Sequence, residues 1–225
     1  IMTAKEYFGD WMRVIDKDEL IKVMRWIQTL DDFNICPSKK NIFKAFKLCP
    51  YKELRVVCIG MDPYPQPGVA QGILFGNSKD TPEELLSPSL QVVKESVINY
   101  TIPHGRIEFD STLESWAKQG ILLINSAFTC RVNEVGSHLS IWKPFTSKLI
   151  ENISYKNNGL VFVLFGGQAQ SFKPYIKGFH KIIEVPHPAY FARRNEIMPY
   201  STCTDINKYL KEQYNEEIEF YKEDV

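Results

Sequence analysis

Val56–Ile59, Ile121–Ile124 and Leu160–Phe165 are continuous apolar runs, too short for helices and without polar alternation. That pattern suits strands buried on both faces of a parallel sheet. Lys181–Val185 reads as a fourth strand, stopped by Pro186-His187-Pro188. Helical stretches fall around these strands. Asp18-Glu19 starts a helix over Leu20–Leu30, with Ile21, Met24, Trp26 and Ile27 as a stripe. Ser38 is the expected N-cap for Lys39–Lys47, where Ile42, Phe43 and Phe46 share a face. Further helices are predicted over Leu90–Ile98, Asp110–Lys118 (ended by Gly120), Lys143–Ser154, Gln168–Ile176 and Thr204–Gln213, before a polar, acidic tail. Strand and helix in this rhythm predict an α/β fold, a three-layer αβα sandwich around a central four-stranded parallel sheet. No linker, low-complexity tract or internal repeat interrupts the chain, so residues 1–225 read as one domain.

In such a sheet every strand ends on the same edge, where ligands bind. The residues just past the four predicted strands are Asp62, Asn125, Gly166-Gly167 and His187. Met61-Asp62-Pro63-Tyr64-Pro65-Gln66-Pro67-Gly68 holds three prolines and a glycine, a composition that excludes helix and sheet and stiffens the loop. Taken singly, each residue has an ordinary role: an Asp that caps a turn, an Asn that forms one, a His that satisfies a local hydrogen bond. Taken together they suit a nucleobase. An Asn amide matches the O4/N3–H edge of a pyrimidine, and a His opposite can donate to O2. Phe75 can stack on the ring and Tyr64 can wall off C5. Asp62 can hold a water and stabilise a cationic sugar. Ser87-Pro88-Ser89, at a helix start, offers either free N–H groups for a phosphate or an ordinary N-terminus.

Composition adds limits. Lys plus Arg and Asp plus Glu are equal at 27 each, so total charge gives no sign of a nucleic-acid partner, although local patches survive a zero sum. The cysteines (Cys36, Cys49, Cys58, Cys130, Cys203) form an odd set of five without a CxxC pair, which fits reduced thiols in an intracellular protein better than disulfides or zinc. No stretch approaches the ~20 apolar residues of a membrane span. The N-terminal region lacks a signal-peptide core, and Ile1 before Met2 reads as an added residue. GxSxG, P-loop, HExxH and dinucleotide signatures are absent, which removes the main support for serine hydrolase, NTPase, zinc peptidase and Rossmann readings.

Several blocks resemble family 1 uracil-DNA glycosylases. GMDPYPQPGVAQG is similar to that family's water-activating loop GQDPYHGPGQAHG, and the following ILF ends in a phenylalanine matching the uracil-stacking one. SPSL resembles the proline-rich loop, and LESWAKQGILLIN resembles LESWARQGVLLLN, which ends in the base-reading asparagine. VFVLFGGQAQ resembles the Gly-Ser loop strand, and PHPAYFARR stands where the family has the DNA-intercalating HPSPLSAHR. The similarity runs in order over about residues 37–210, leaving out the N-terminal segment and the tail.

The resemblance implies hydrolysis of the N-glycosidic bond of a flipped-out deoxyuridine during base excision repair, with no metal or cofactor. It implies Asp62 as the water-positioning carboxylate and His187 as donor to uracil O2. Met61 lies in the substrate pocket, Tyr64 excludes the thymine methyl, Phe75 stacks and Asn125 reads the base. Ser89, Gly166, Gly167, Ala189, Phe191, Arg193 and Arg194 fall at DNA-contacting positions, Phe191 in place of the intercalating leucine. The implied partner is uracil-containing DNA, single- or double-stranded, met by an intracellular (cytoplasmic or nuclear) monomer, with room for a proteinaceous glycosylase inhibitor.

Met61 replaces the loop's glutamine and Pro65 its histidine, and poxviral members resemble this chain at both places and in having HPA rather than HPS. Gly167 and Ala189 replace two serines that in the family help to grip phosphates, leaving Ser89 of that set. Those changes, with the bulky basic AYFARRN loop, keep an alternative open: a glycosylase-fold homologue with lost or altered base excision that acts as a DNA- or protein-binding module.

Overall fold

The apolar runs become the centre of a sheet. In the computed structural model, which describes residues 1–98 and 105–224, β1 (Val56–Gly60), β2 (Ile121–Asn125), β3 (Val161–Phe165) and β4 (Lys181–Val185) form one parallel sheet in the order β2-β1-β3-β4. Every residue of β1 and β3 is buried, as strands covered on both faces must be. β4, paired on one side only, alternates less cleanly and keeps exposed residues. Gly60 lies opposite Asn125 and Ile59 opposite Leu164. The chain leaves β1 to one side for β2, then returns to β1's other flank for β3. The strand order therefore reverses beside β1, and a crevice opens there at the C-terminal edge.

The five longest helices among the described residues are α1 (Lys17–Gln28), α2 (Pro88–Ile98), α3 (Leu139–Lys156), α4 (Pro188–Arg194) and α5 (Ser201–Tyr214). α1 starts one turn before the expected Leu20 because the Asp16 carboxylate accepts from Glu19 N at 3.0 Å. α3 starts before the expected Lys143 and keeps Pro144 inside it. Trp142 and Phe145 flank that proline and are 0% and 1% exposed. Burying two such side chains, at about 1.5–3 kcal/mol each, offsets the ~3 kcal/mol that a proline inside a helix costs.

Other expectations are corrected. Lys39–Lys47 is two pieces, a 3-10 turn at Lys39–Asn41 and a helix at Lys44–Leu48, and Ser38 makes no capping bond. Between the pieces the Asn41 carbonyl packs against Gly72, where a Cβ would lie 1.8 Å from its oxygen. Asp110 closes a turn, its carboxylate accepting from Thr112 N and Ser115 N at 3.0 and 2.9 Å, and only Glu114–Lys118 is helical. Gln168–Ile176 is likewise a short helix, Gly166–Gln170, and a 3-10 turn, Lys173–Tyr175.

The acidic tail is packed rather than loose. Its Lys222–Asp224 pairs antiparallel with Arg106–Glu108, Ile218 and Phe220 are buried, and Trp116 Nε1 donates to the Phe220 carbonyl at 3.0 Å. At the other end a capping box at Thr3 starts an unforeseen helix, Ala4–Phe8, that puts Phe8 into the core. No helix among the described residues is long and apolar enough to cross a membrane.

Candidate active site

The site begins where β1 ends. A Cβ on Gly60 would fall 2.4 Å from Leu74 Cδ1 and 2.8 Å from Asn125 Oδ1, so the glycine leaves room for those two side chains to lie over the strand end. Ser126 N and Oγ both donate to the Gly60 carbonyl, at 2.9 and 2.7 Å, and Ala127 N donates to the Met61 carbonyl at 3.0 Å. These bonds tie the Asp62 loop to the segment that follows Asn125. Asp62 is half-buried, and its Oδ2 accepts from Gly136 N at 2.5 Å. Burial raises its carboxyl above the ordinary 3.8, and the Gly136 amide opposes that rise by favouring the anion.

The Met61–Gly68 loop carries neither helix nor strand. Its Tyr64 hydroxyl donates to the Phe75 carbonyl at 2.7 Å. Phe75 needs the restraint. It is a buried non-glycine residue at φ +66, a conformation that costs about 1–3 kcal/mol. Its ring meets Phe165 edge-on at 5.1 Å and His187 at 5.6 Å.

His187 follows β4 and caps α4. Its Nδ1 accepts from Ala189 N at 3.1 Å, so the neutral ring carries its proton on Nε2. Burial, reinforced by the nearby Arg193 charge, lowers its pKa from 6.5 to about 4. The imidazole is therefore neutral at physiological pH and presents an N–H donor. Gly166 makes room for it: its φ is +85, and a Cβ there would lie 3.0 Å from His187 Cβ.

These elements surround a cavity of about 550 Å³. Met61, Asp62, Tyr64, Phe75, Asn125 and His187 line it, joined by Ser89, Gly166, Gly167, Ala189 and Arg193. Asn125 Oδ1 is buried with no hydrogen-bond partner among the described residues, an orphan acceptor in the wall of an open pocket. Among those residues no three His, Cys, Asp or Glu side chains are placed to hold a metal.

Two expected DNA contacts stand apart from the cavity lining. Phe191 is only 7% exposed, buried where α4 packs on α2, and a ring held there is not presented to a duplex. The exposed aromatic of this helix is its neighbour Tyr190, at 42%. Arg194 is occupied: its Nε donates to Glu196 at 2.9 Å and its guanidinium lies 5.1 Å from the Tyr190 ring centre. The sequence reading also passed over Gly136, whose amide holds Asp62, and Val135, Ile42 and Ala45 in the cavity wall. A lone loop glycine and scattered apolar residues carry no local signal of such a role.

The profile of the uracil DNA glycosylase superfamily matches residues 46–213. A uracil-DNA glycosylase of Coxiella burnetii is 35% identical over 83% of this chain and 80% of its own. One from Bacillus pumilus is 34% identical over 85% and 83%. Among solved structures, the mimivirus uracil-DNA glycosylase superposes with a TM-score of 0.74 at 23% identity, covering 97% of this chain and 93% of the other. A variant of mimivirus UNG in complex with UGI gives 0.73 at 23% identity, over 98% and 95%. The parallel sheet with its strand-end pocket thus has the fold of a DNA-base glycosylase. This chain belongs to the uracil DNA glycosylase superfamily.

Proposed function

We propose that this protein is a monofunctional DNA glycosylase that hydrolyses the bond between deoxyribose C1′ and uracil N1 on a flipped-out nucleotide. The observation that carries the reading is the pairing of opposite functions on one cavity: a carboxylate that burial has raised but the Gly136 amide holds, and an imidazole kept neutral with its Nε2–H free. As the C1′–N1 bond breaks, its electron pair leaves with the base and charge gathers on O2. His187 Nε2–H donates to that oxygen, and the Asp62 carboxylate faces the sugar cation. Asp62 also orients the water that adds to C1′, and takes its proton.

Asn125 reads the pyrimidine edge with its unpaired amide oxygen and the adjacent NH₂, which exchange places on rotation of the amide. Phe75 stacks on the base and Tyr64 blocks C5. The partner is DNA, single- or double-stranded, gripped by Ser89, by backbone amides at Gly166, Gly167 and Ala189, and by Arg193. Tyr190 takes the place expected of Phe191 as the aromatic presented to the strand. The chain acts as a single-domain monomer, and the cavity mouth suits a proteinaceous inhibitor such as the UGI bound to the mimivirus protein. An intracellular setting is supported by its five free cysteines. Every expected pocket residue lines the cavity, which supports base excision over the binding-module alternative. The test is release of free uracil from DNA with a single deoxyuridine, beside matched substrates holding thymine or cytosine.

A further inference from the structure

Two buried thiols stand behind the loop that carries Asp62. Ile35–Cys36 pairs antiparallel with Cys130–Arg131, which sets Cys36 opposite Cys130. Residues directly opposite in such a pair project to the same face, and here that face meets the loop. Cys130 Sγ donates to the Pro63 carbonyl at 3.5 Å. Cys36 Sγ donates toward the Pro65 and Gln66 carbonyls, at 3.5 and 3.6 Å. With Ala70 the two thiols form a small cluster against which Tyr64 packs, and neither lines the base cavity. Cys36 and Cys130 are 2% and 0% exposed, and burial pushes the Cys130 thiol up to about 12. Each therefore keeps its proton and serves as a donor. The loop needs donors from outside, because Pro63, Pro65 and Pro67 have no N–H. Residues 130–136 run alongside and supply them. Asn133 N donates to the Pro65 carbonyl at 2.9 Å and Gly136 N to Asp62 Oδ2 at 2.5 Å. Backbone amides thus hold Pro65 and the carboxylate itself, and the Cys130 thiol holds the carbonyl between them.

We propose that Cys130 and Cys36 are positioning residues for the reaction, whose S–H groups clamp the Pro63 and Pro65 carbonyls and so fix where the Asp62 carboxylate stands in the cavity wall. The inference rests on the assignment of Asp62 to base excision. It gives a use to two thiols that never touch the base. A loop that cannot bond to itself at its prolines keeps its shape only while its carbonyls are held, and a carboxylate displaced by about 1 Å loses much of its effect on the reacting centre.

Cys130→Ala and Cys36→Ala each remove one donor, and Cys130→Ser keeps a donor on a shorter arm. Single-turnover uracil release at increasing protein concentration separates the maximal rate from the half-saturating concentration. We expect each alanine variant to lose about tenfold in maximal rate, between the roughly fivefold of one hydrogen bond and the roughly hundredfold of a misplaced group. The half-saturating concentration should stay within about twofold of wild type, and Cys130→Ser should recover about threefold of the lost rate. In an Asp62→Asn background Cys130→Ala should cost less than about twofold, because the carboxylate it places is gone. An equal loss with and without that carboxylate marks a general loosening and overturns the inference. So do maximal rates within about twofold of wild type in both alanine variants, or a serine variant no faster than alanine. Carbon NMR titration of the Asp62 carboxyl reads its placement without any activity. Its pKa should rise in Cys130→Ala, because a loop that shifts gives up the Gly136 amide that favours the anion, and an unmoved pKa overturns the inference. Should Cys130→Ala fail to fold, Cys130→Val, which keeps apolar bulk without a donor, carries the same comparisons. A wild-type protein that releases no uracil while the Asp62 pKa still responds would overturn the base-excision reading and leave the clamp standing.

Discussion

The protonation state of His187 is where structure and mechanism are most tightly bound. A donor to a departing uracil anion must keep its Nε2 proton while remaining neutral in the free enzyme, and the site enforces both. The Ala189 amide occupies Nδ1, and burial with Arg193 lowers the pKa from 6.5 to about 4. At about 1.36 kcal/mol per pH unit, that drop corresponds to roughly 3 kcal/mol against protonation of the folded state. Between pH 6.5 and about 4 the unfolded chain therefore binds a proton that the folded chain refuses. His187 contributes full stability above 6.5, and it is lost as pH falls through 4. Replacing Arg193 with glutamine removes the smaller of the two causes, so the pKa should rise yet stay below 6.5, with burial intact. Imidazole NMR titration of wild type and Arg193→Gln reads both quantities, and ring nitrogen shifts read the tautomer. A wild-type His187 that titrates at 6.5 or higher, or that carries its proton on Nδ1, would refute this account of the site.

Other outcomes follow from the same geometry. Asp62→Asn should cut single-turnover uracil release by about a hundredfold or more, the usual scale for a group acting on developing charge, with the thermal unfolding transition preserved; a rate near wild type would remove the carboxylate from the chemistry. Asn125→Asp should admit cytosine and Tyr64→Ala thymine, each at reduced rate, as read by base release from defined oligonucleotides. Arg193→Gln should weaken binding to single-stranded DNA and reduce the slope of log affinity on log salt by about 0.7, whereas Arg194→Gln, which removes a charge already paired with Glu196, should change it less. Gly167→Ser has open space, with nothing within 4 Å of its Cβ, and should tighten DNA binding by a few-fold, the worth of one hydrogen bond of about 1 kcal/mol.

The sheet was legible because strands buried on two faces show as unbroken apolar runs, and β1 and β3 are buried throughout. The strand-end residues were legible for the same reason: once the strands are parallel, their ends share an edge. What the sequence hid depends on packing between elements. Whether Tyr190 or Phe191 faces outward is decided by α4 lying on α2, and neighbouring aromatics do not disclose that choice. The clasp of Asn77 on Ser87 forms only because the loop between them folds back on itself. The helix expected from Lys143 begins at Leu139 instead, and Trp142 and Phe145 on either side of Pro144 bury their rings as α3 runs through it. The acidic tail carried little sign that Ile218 and Phe220 would enter the core.

Quantitative uracil release by the wild-type protein, compared with Asp62→Asn and His187→Ala on the same single-deoxyuridine oligonucleotide at pH 7.5 or so, tests the central claim most directly. The account predicts free uracil and an abasic strand from the wild type, with both variants slowed by about a hundredfold or more while remaining folded. Equal rates for all three proteins, or intact deoxyuridine after incubation with the wild type, would contradict it.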